Sequence, residues 1–574
     1  MESTKDVCVP PERETSACSG DSEEICESTV SMSRRGWLKA LGGAAGAGML
    51  APVMLTSRTA AAEEIGPLSE AARQSEALVR RVVAAGQQFN QPFPELPCNG
   101  DDDLYADRIG SFSKTLPHNQ LGEVDTAAYS AFLDALESGE NSDFEAIPGG
   151  GPGKLANPQA AYAFSLAGAD SHKINMPAVH AFASARQASE AGEVYWQAVT
   201  RDINFADYDS DPLIYAAADD MTQFSDFTGP KVGGCVVPET LFRGPTPGDL
   251  NGPYISQFLY MDIPYGNKLI DQRARNPVVG DDYMTDTDSW LAVQRGILPA
   301  PVNVLAKKER YIRNNRDLGE YVHRDFSFQA YLNATLIALG FGGDALDPNP
   351  YTGLVRQAGF ITFGAAGIID LMSRAAVVGL RVAWFHKWLV HRKLRPEAFG
   401  GRLHNHLTGA ASYPINNEIL ESSVLDEVFD RYGTYYLPQA FPEGSPTHPS
   451  YPAGHAVVAG ACVTVIKAFF DEDFVIPAPV VPRKNGRSLK PFNGGPLTLG
   501  GELDKLARKI SLGRNAAGVH WRADGVDGLD AGEAVAITLL QDYLRTVNES
   551  SGGLVLTRFN GETVSITQDA VTPV

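Results

Sequence analysis

The sequence predicts one large, mainly α domain closed by a small C-terminal β-hairpin. Helical periodicity or helical length dominates the second half of the chain, at 324–340, 364–394, 456–470, 503–512 and 532–546. Strand signals are scarce until 554–559 and 563–566. Those two runs flank Asn560-Gly561, the strongest short hairpin turn.

The elements follow in order. A helical pattern at 64–86 carries apolar Leu68, Ala71, Ala72, Leu78 and Val82, and helix-like segments recur at 126–138, 178–200 and 289–295. Pro/Gly-rich stretches at 91–100, 148–153 and 231–252 separate them. No repeat, low-complexity tract or interdomain linker interrupts residues 63–574, which read as one domain. Residues 1–62 read as a leader. Ser33-Arg34-Arg35-Gly36-Trp37-Leu38-Lys39 sets a twin arginine before the soft apolar run 40–55, and Ala60-Ala61-Ala62 has the form of a cleavage site. That pattern predicts export by the twin-arginine route to the periplasm or the cell exterior. The acidic prefix ahead of Met32 reads either as a long n-region or as a misplaced start. No later segment is apolar enough to span a bilayer.

With 44% hydrophobic and 20% charged residues in 574, general disorder is excluded. Net charge is −21, and no basic stripe is visible, which argues against nucleic acid as a partner. Any anion site must be a local cationic exception. Cys98, Cys235 and Cys462 remain after the leader, too few for a disulfide framework; Cys462 reads as a buried thiol, and Cys98 and Cys235 could pair but need not.

Three motifs between 380 and 525 carry chemistry. In Lys387-Trp388-Leu389-Val390-His391-Arg392-Lys393-Leu394-Arg395-Pro396, helical spacing puts Lys387, His391 and Arg395 on one face, with Pro396 ending the run. The pattern suits a basic last turn complementing the helix dipole, or a Lys and an Arg fork around an oxyanion. Ser445-Pro446-Thr447-His448-Pro449-Ser450-Tyr451-Pro452-Ala453-Gly454-His455 precedes an apolar helix, whose free first-turn amides form an anion site that Gly454 leaves open. Arg514-Asn515-Ala516-Ala517-Gly518-Val519-His520-Trp521 adds a further arginine and a further histidine. Together they suit a tetrahedral oxyanion held by fork-like donors, with one imidazole free to bond its central atom.

This set resembles the signature of the vanadium-dependent haloperoxidases, which share fold and site with the type 2 phosphatidic acid phosphatase superfamily. It is most similar to the algal bromoperoxidase branch, through the Lys387-to-Pro396 run followed by Glu397-Ala398-Phe399-Gly400-Gly401, through 445–455 and through 513–521. Asn99-Gly100-Asp101, Leu155-Ala156-Asn157-Pro158 and Leu346-Asp347-Pro348-Asn349-Pro350-Tyr351 extend the likeness over nearly all of residues 63–574. The resemblance implies helical bundles, a vanadate cofactor, and oxidation of bromide or iodide by hydrogen peroxide to hypohalous acid, which halogenates a small organic acceptor. It implies that His520 bonds vanadium and that Lys387, Arg395, Arg514 and the Gly454 amide neutralise the vanadate oxygens. By the same likeness His455 is the acid-base histidine, His448 the second histidine of bromoperoxidases, and Trp384 a wall of the halide pocket, while Lys387 polarises the peroxide. Self-association into a homo-oligomer is implied by the algal relatives. Ala453 departs from the family, which usually has serine there, and removes a hydroxyl donor worth about 1 kcal/mol.

Two other readings share these residues. An exported acid phosphatase would use His520 as nucleophile and His455 as acid, but its pattern spaces Lys and Arg by seven positions against eight here, and His448 with Trp384 fits a halide pocket. An inactive oxyanion-binding protein has Ala453 as its support.

Overall fold

The computed structural model describes residues 66–297 and 303–574. The leader assigned to 1–62 therefore lies outside the described residues. The first helix, α1 (Glu70–Asn90), begins later than its periodicity suggested because Ser69 caps it, accepting from the Ala72 amide. It buries no residue of its own. Helix α2 (Thr126–Ser138) has the predicted bounds, set by the Asp125 cap and by Gly139 in the left-handed region. Helix α3 (Ala185–Val199) starts at the Ser184 cap and is buried almost throughout.

The second half forms the bundle that carries the site. Its members are α4 (Gln329–Gly340), α5 (Ala365–Phe385), α6 (Pro396–Leu407), α7 (Gly454–Lys467), α8 (Leu499–Ala516) and α9 (Arg522–Leu544). Helix α7 is the axle. Every residue of it except His455 is buried, and it packs against α5, α8 and α9. The approach to α9 is close because glycines face each other: a Cβ on Gly460 would stand 2.1 Å from the Leu529 carbonyl, and one on Gly532 would stand 2.1 Å from that of Val457. These glycines bring two backbones together where a methyl would force them apart.

Strands are few and short. Antiparallel pairs join β1 (Ile263–Tyr265) to β2 (Lys268–Ile270) and β3 (Val480–Pro482) to β4 (Leu489–Pro491). The predicted hairpin is present as β5 (Leu554–Thr557) and β6 (Thr563–Ile566), in register Leu554↔Ile566, and a third strand, β7 (Val571–Pro573), joins β6. Leu554, Leu556, Val564 and Ile566 face the core, as period-2 alternation requires.

One expectation is corrected, and one open question is answered. The run 364–394 is not one α-helix: after α5 the chain widens into a π turn, His386–His391, closed by an i→i−5 bond from the Arg392 amide to the Lys387 carbonyl. Arg392 then adopts a left-handed conformation, and Pro396 opens α6 rather than ending its predecessor. Cys98 and Cys235 do not pair: Cys98 is disulfide-bonded, whereas Cys235 is free on an exposed turn. Cys462 is a buried free thiol, as expected. No described helix is long and apolar enough to cross a membrane.

Candidate active site

Four segments converge on a cavity of about 190 Å3 bounded by Leu380, Trp384, His448, Gly454, His455, Arg514 and His520. At ~30 Å3 per oxygen-sized ligand this admits a tetrahedral oxyanion and a small co-substrate. Helix α5 and its π turn deliver Trp384 and Lys387. Arg395 stands at the start of α6, and Arg514 in the last turn of α8. His520 lies in the bend between α8 and α9.

The cations are buried and rigidly held. Lys387 Nζ donates to the carbonyls of Pro449 (2.8 Å) and Ser450 (2.6 Å). Arg395 donates to the carbonyls of His448 (3.0 Å) and Val519 (2.7 Å), to His448 Nδ1 (2.9 Å) and to His520 Nε2 (2.9 Å). Arg514 donates to the Val322 carbonyl at 2.6 Å, and its buried Nε has no partner among the described residues. Burial, then the Arg395 charge, pushes the Lys387 ammonium well below its usual range, although Asp524 opposes this. Burial pulls Arg395 down to about 9 and Arg514 to about 10, so both stay cationic at pH 7. Two buried guanidinium cations beside a buried lysine, with too few carboxylates, form a site short of negative charge, which a small anion completes.

Guanidinium groups only donate, and that fixes the His520 tautomer. Because Arg395 donates to Nε2 of His520, that nitrogen is an acceptor, and Nδ1–H donates to Asp524 Oδ2 at 2.7 Å. The lone pair of His520 therefore points toward the cations, as a ligand to an electrophilic atom requires. His448 Nδ1 lies between an Arg395 nitrogen (2.9 Å) and the Pro449 carbonyl (3.1 Å). Burial first, with Lys387 and Arg395 adding for His448 and Arg395 and Lys387 for His520, holds both rings far below the usual histidine pKa and therefore neutral. Trp384 and His448 meet with ring centroids 4.8 Å apart. His455, the half-buried residue of α7, donates from Nε2 to Asp325 at 2.9 Å and keeps Nδ1 for proton exchange.

The donor set fits vanadate. The Gly454 and His455 amides lack intrahelical acceptors at the N-terminus of α7, and Arg514 Nε is an orphaned buried donor in the cavity wall. A Cβ at Gly454 would meet Trp384 and Leu380 at 3.4 and 3.5 Å, so the glycine keeps that wall open. No cluster of three or more His, Cys, Asp or Glu that could hold a cation exists among the described residues.

Comparison with known proteins agrees with this geometry. Residues 423–549 match a family model described as the VCPO second helical-bundle domain. A vanadium-dependent bromoperoxidase of Ascophyllum nodosum is 36% identical over 529 residues, spanning 87% of this chain and 93% of that protein. One from Corallina pilulifera is 33% identical, over 85% of this chain and 97% of that protein. The chain belongs to the vanadium-dependent bromoperoxidases. A solved bromoperoxidase structure, the homohexameric second vanadate-dependent enzyme of Ascophyllum nodosum, superposes on it with a TM-score of 0.85 at 30% identity, covering 92% of this chain and 96% of that one.

In this bromoperoxidase chain the structure gathers Trp384, Lys387, Arg395, His448, Gly454, His455, Arg514 and His520, all expected from the sequence. It does not bring in His391, which the π turn rotates against His386 and Tyr451, away from the cavity. Four positioning residues escaped the sequence. Asp524 Oδ2 accepts from His520 Nδ1, Trp521 N and Ser450 Oγ; its place four residues after His520 was the available signal. Asp325 holds His455. Ser450 ties the 445–455 loop to Asp524. Buried Lys114 donates to Glu397 (2.7 Å) and to the Ser445 carbonyl (2.6 Å), while Glu397 accepts from the Ser445 amide (2.7 Å), which pins the start of that loop.

Proposed function

We propose that this protein oxidises bromide, and iodide, with hydrogen peroxide, yielding hypohalous acid and water, and that the hypohalous acid halogenates a small organic acceptor. Vanadate, when bound, supplies a Lewis acid that activates peroxide without changing its own oxidation state. The observation that carries the reading is the gathering of buried Lys387, Arg395 and Arg514 around neutral His520, which together with Arg514 lines the cavity.

Each residue has one task. His520 ligates vanadium, held in the right tautomer by Asp524. Lys387, Arg395, Arg514 and the first-turn amides of α7 hold the oxyanion and stabilise charge that develops on its oxygens. His455, with Asp325 on Nε2, moves the proton that peroxide gives up and that hypohalous acid takes back. His448 and Trp384 form the wall where halide approaches. We further propose assembly as a homo-oligomer, supported by the homohexameric relative, and twin-arginine export, supported by Arg34-Arg35.

Metal-free protein reconstituted with vanadate tests the activity. Peroxide-dependent bromination that requires vanadate, with little hydrolysis of a phosphate monoester, is the expected result. Brisk hydrolysis without bromination would replace this reading by the phosphatase one.

A further inference from the structure

A second cavity, about 620 Å3, opens apart from the oxyanion site and shares no lining residue with it. One wall is aromatic. Phe205 lies parallel on Tyr254 with centroids 4.0 Å apart, and Tyr208 meets both rings edge-on. The hydroxyls of these tyrosines are already engaged: Tyr254 donates to the Phe242 carbonyl, and Tyr208 accepts from Asn315 Nδ2 at 3.1 Å. Both tyrosines are nearly buried, so the ring that offers surface to the cavity is the half-buried Phe205.

Other lining residues are cationic. The β3–β4 hairpin contributes Arg483, Lys484 and Lys490, and Arg243 and Arg313 line the interior. Three carboxylates, Asp207, Asp209 and Glu239, face these five cations. Lys484 pairs with Asp207, and Arg313 with Asp317. Arg483 and Lys490, both exposed, enter no ion pair among the described residues. Arg243 is 8% exposed and lies over Tyr254 at 4.9 Å; two of its nitrogens reach the Asp249 and Gly252 carbonyls, and Nε is left without an acceptor. In a chain of net charge −21 this is a second local cationic exception, and bromide oxidation uses none of it.

From this pairing we infer that the cavity binds a planar aromatic anion, an aryl carboxylate, sulfonate or sulfate. Its ring packs against Phe205, which Tyr254 backs on the far face, and its anionic group meets Arg243, Arg483 and Lys490. The volume lies in the range of small-molecule sites. Stacking rewards the ring, and the unpaired cations reward the charge, so neither a neutral arene nor an inorganic anion gains both.

The test is calorimetric titration of the full, vanadate-saturated protein with 2-naphthalenesulfonate in the absence of peroxide. Saturating vanadate removes the oxyanion site from the count. One saturable site per chain is expected. Affinity should fall about tenfold in the Arg483→Glu/Lys490→Glu double variant and fall again with added salt. Naphthalen-2-ylmethanol should bind about tenfold more weakly than the sulfonate, and equimolar sulfate should not displace it. Both substitutions lie on an exposed hairpin outside the bromide site, so an unchanged bromination rate certifies the fold of the variant. The inference is overturned by the absence of saturable binding at millimolar probe, or by affinity indifferent to the double variant. Binding that disappears as chains associate would overturn it too, because a second copy would then occupy the cavity. Since the readout is binding heat, its failure leaves the bromide reading untouched.

Discussion

Asp524→Ala separates coordination from simple charge at the oxyanion site. The carboxylate accepts the Nδ1 proton of His520 at 2.7 Å, and no other acceptor reaches that nitrogen among the described residues. A hydrogen bond to a charged group is worth about 1.5–3 kcal/mol. Losing it frees the ring to place its proton on Nε2, where a lone pair is needed, so vanadate affinity should fall about ten- to a hundredfold. An opposing effect exists: removing a negative charge beside Lys387 and Arg395 favours every bound anion. Phosphate has the same shape and no metal for His520 to ligate, so it reports that second effect alone. The decisive quantity is the ratio of vanadate to phosphate affinity. It is read from vanadate-dependent bromination in metal-free protein titrated with vanadate, with phosphate as competitor. The ratio should drop about ten- to a hundredfold in Asp524→Ala and less in Asp524→Asn, which keeps one acceptor oxygen. Thermal melting confirms that each variant is folded. A ratio within about threefold of the parent, less than 1 kcal/mol, would refute the tautomer argument.

Three further outcomes are expected. Ala453 is buried and caps α7 without a side-chain bond, so Ala453→Ser should raise the melting temperature through about 1 kcal/mol of capping and raise bromide oxidation up to about fivefold through the added donor; an unchanged rate would show that the hydroxyl is dispensable. Arg395→Lys replaces a fork with four acceptors by a single point donor, so kcat/KM for bromide at saturating vanadate should fall at least about tenfold, and a loss under twofold would dismiss the fork. Burial holds His386 down to about 4, whereas an unfolded histidine titrates near 6.5. Unfolding therefore takes up a proton below pH 6.5, and stability is lost as pH falls. His386→Gln removes that uptake. The difference in urea unfolding free energy between parent and variant should shift by about 2 kcal/mol from pH 8 to pH 5, and a flat difference would contradict it.

The sequence disclosed elements where side chains mark the ends. Asp125 and Gly139 bracket α2, and it was placed to the residue. Ends blurred where burial is all round, as in α7 and α8, because periodicity vanishes when no face meets water. The start of α9 was missed altogether. Arg522-Ala523-Asp524-Gly525-Val526-Asp527-Gly528 has the composition of a loop, yet Gly528 serves the close approach to α7, where a Cβ would lie 3.0 Å from that of Ala456. In the site, the cations and histidines were legible because few of them stand among prolines and glycines. The carboxylates that orient them were not: with 69 acidic residues, nothing local distinguishes Asp325 from its neighbours until the fold sets it against His455.

The π turn at His386–His391 also bears on how such a site tolerates change in chain length. A π turn is an α-helix that has accepted one extra residue. Eight positions separate Lys387 from Arg395, and the widened turn lodges the added residue without breaking α5. Deleting one residue from Trp388 to His391 would let the helix close in ordinary geometry and draw back the left-handed Arg392 and the start of α6, which carries Arg395. Every amino acid of the site would still be present. The fork would lose its register with His520, and a chain one residue shorter would have lost its cofactor grip through arithmetic rather than chemistry.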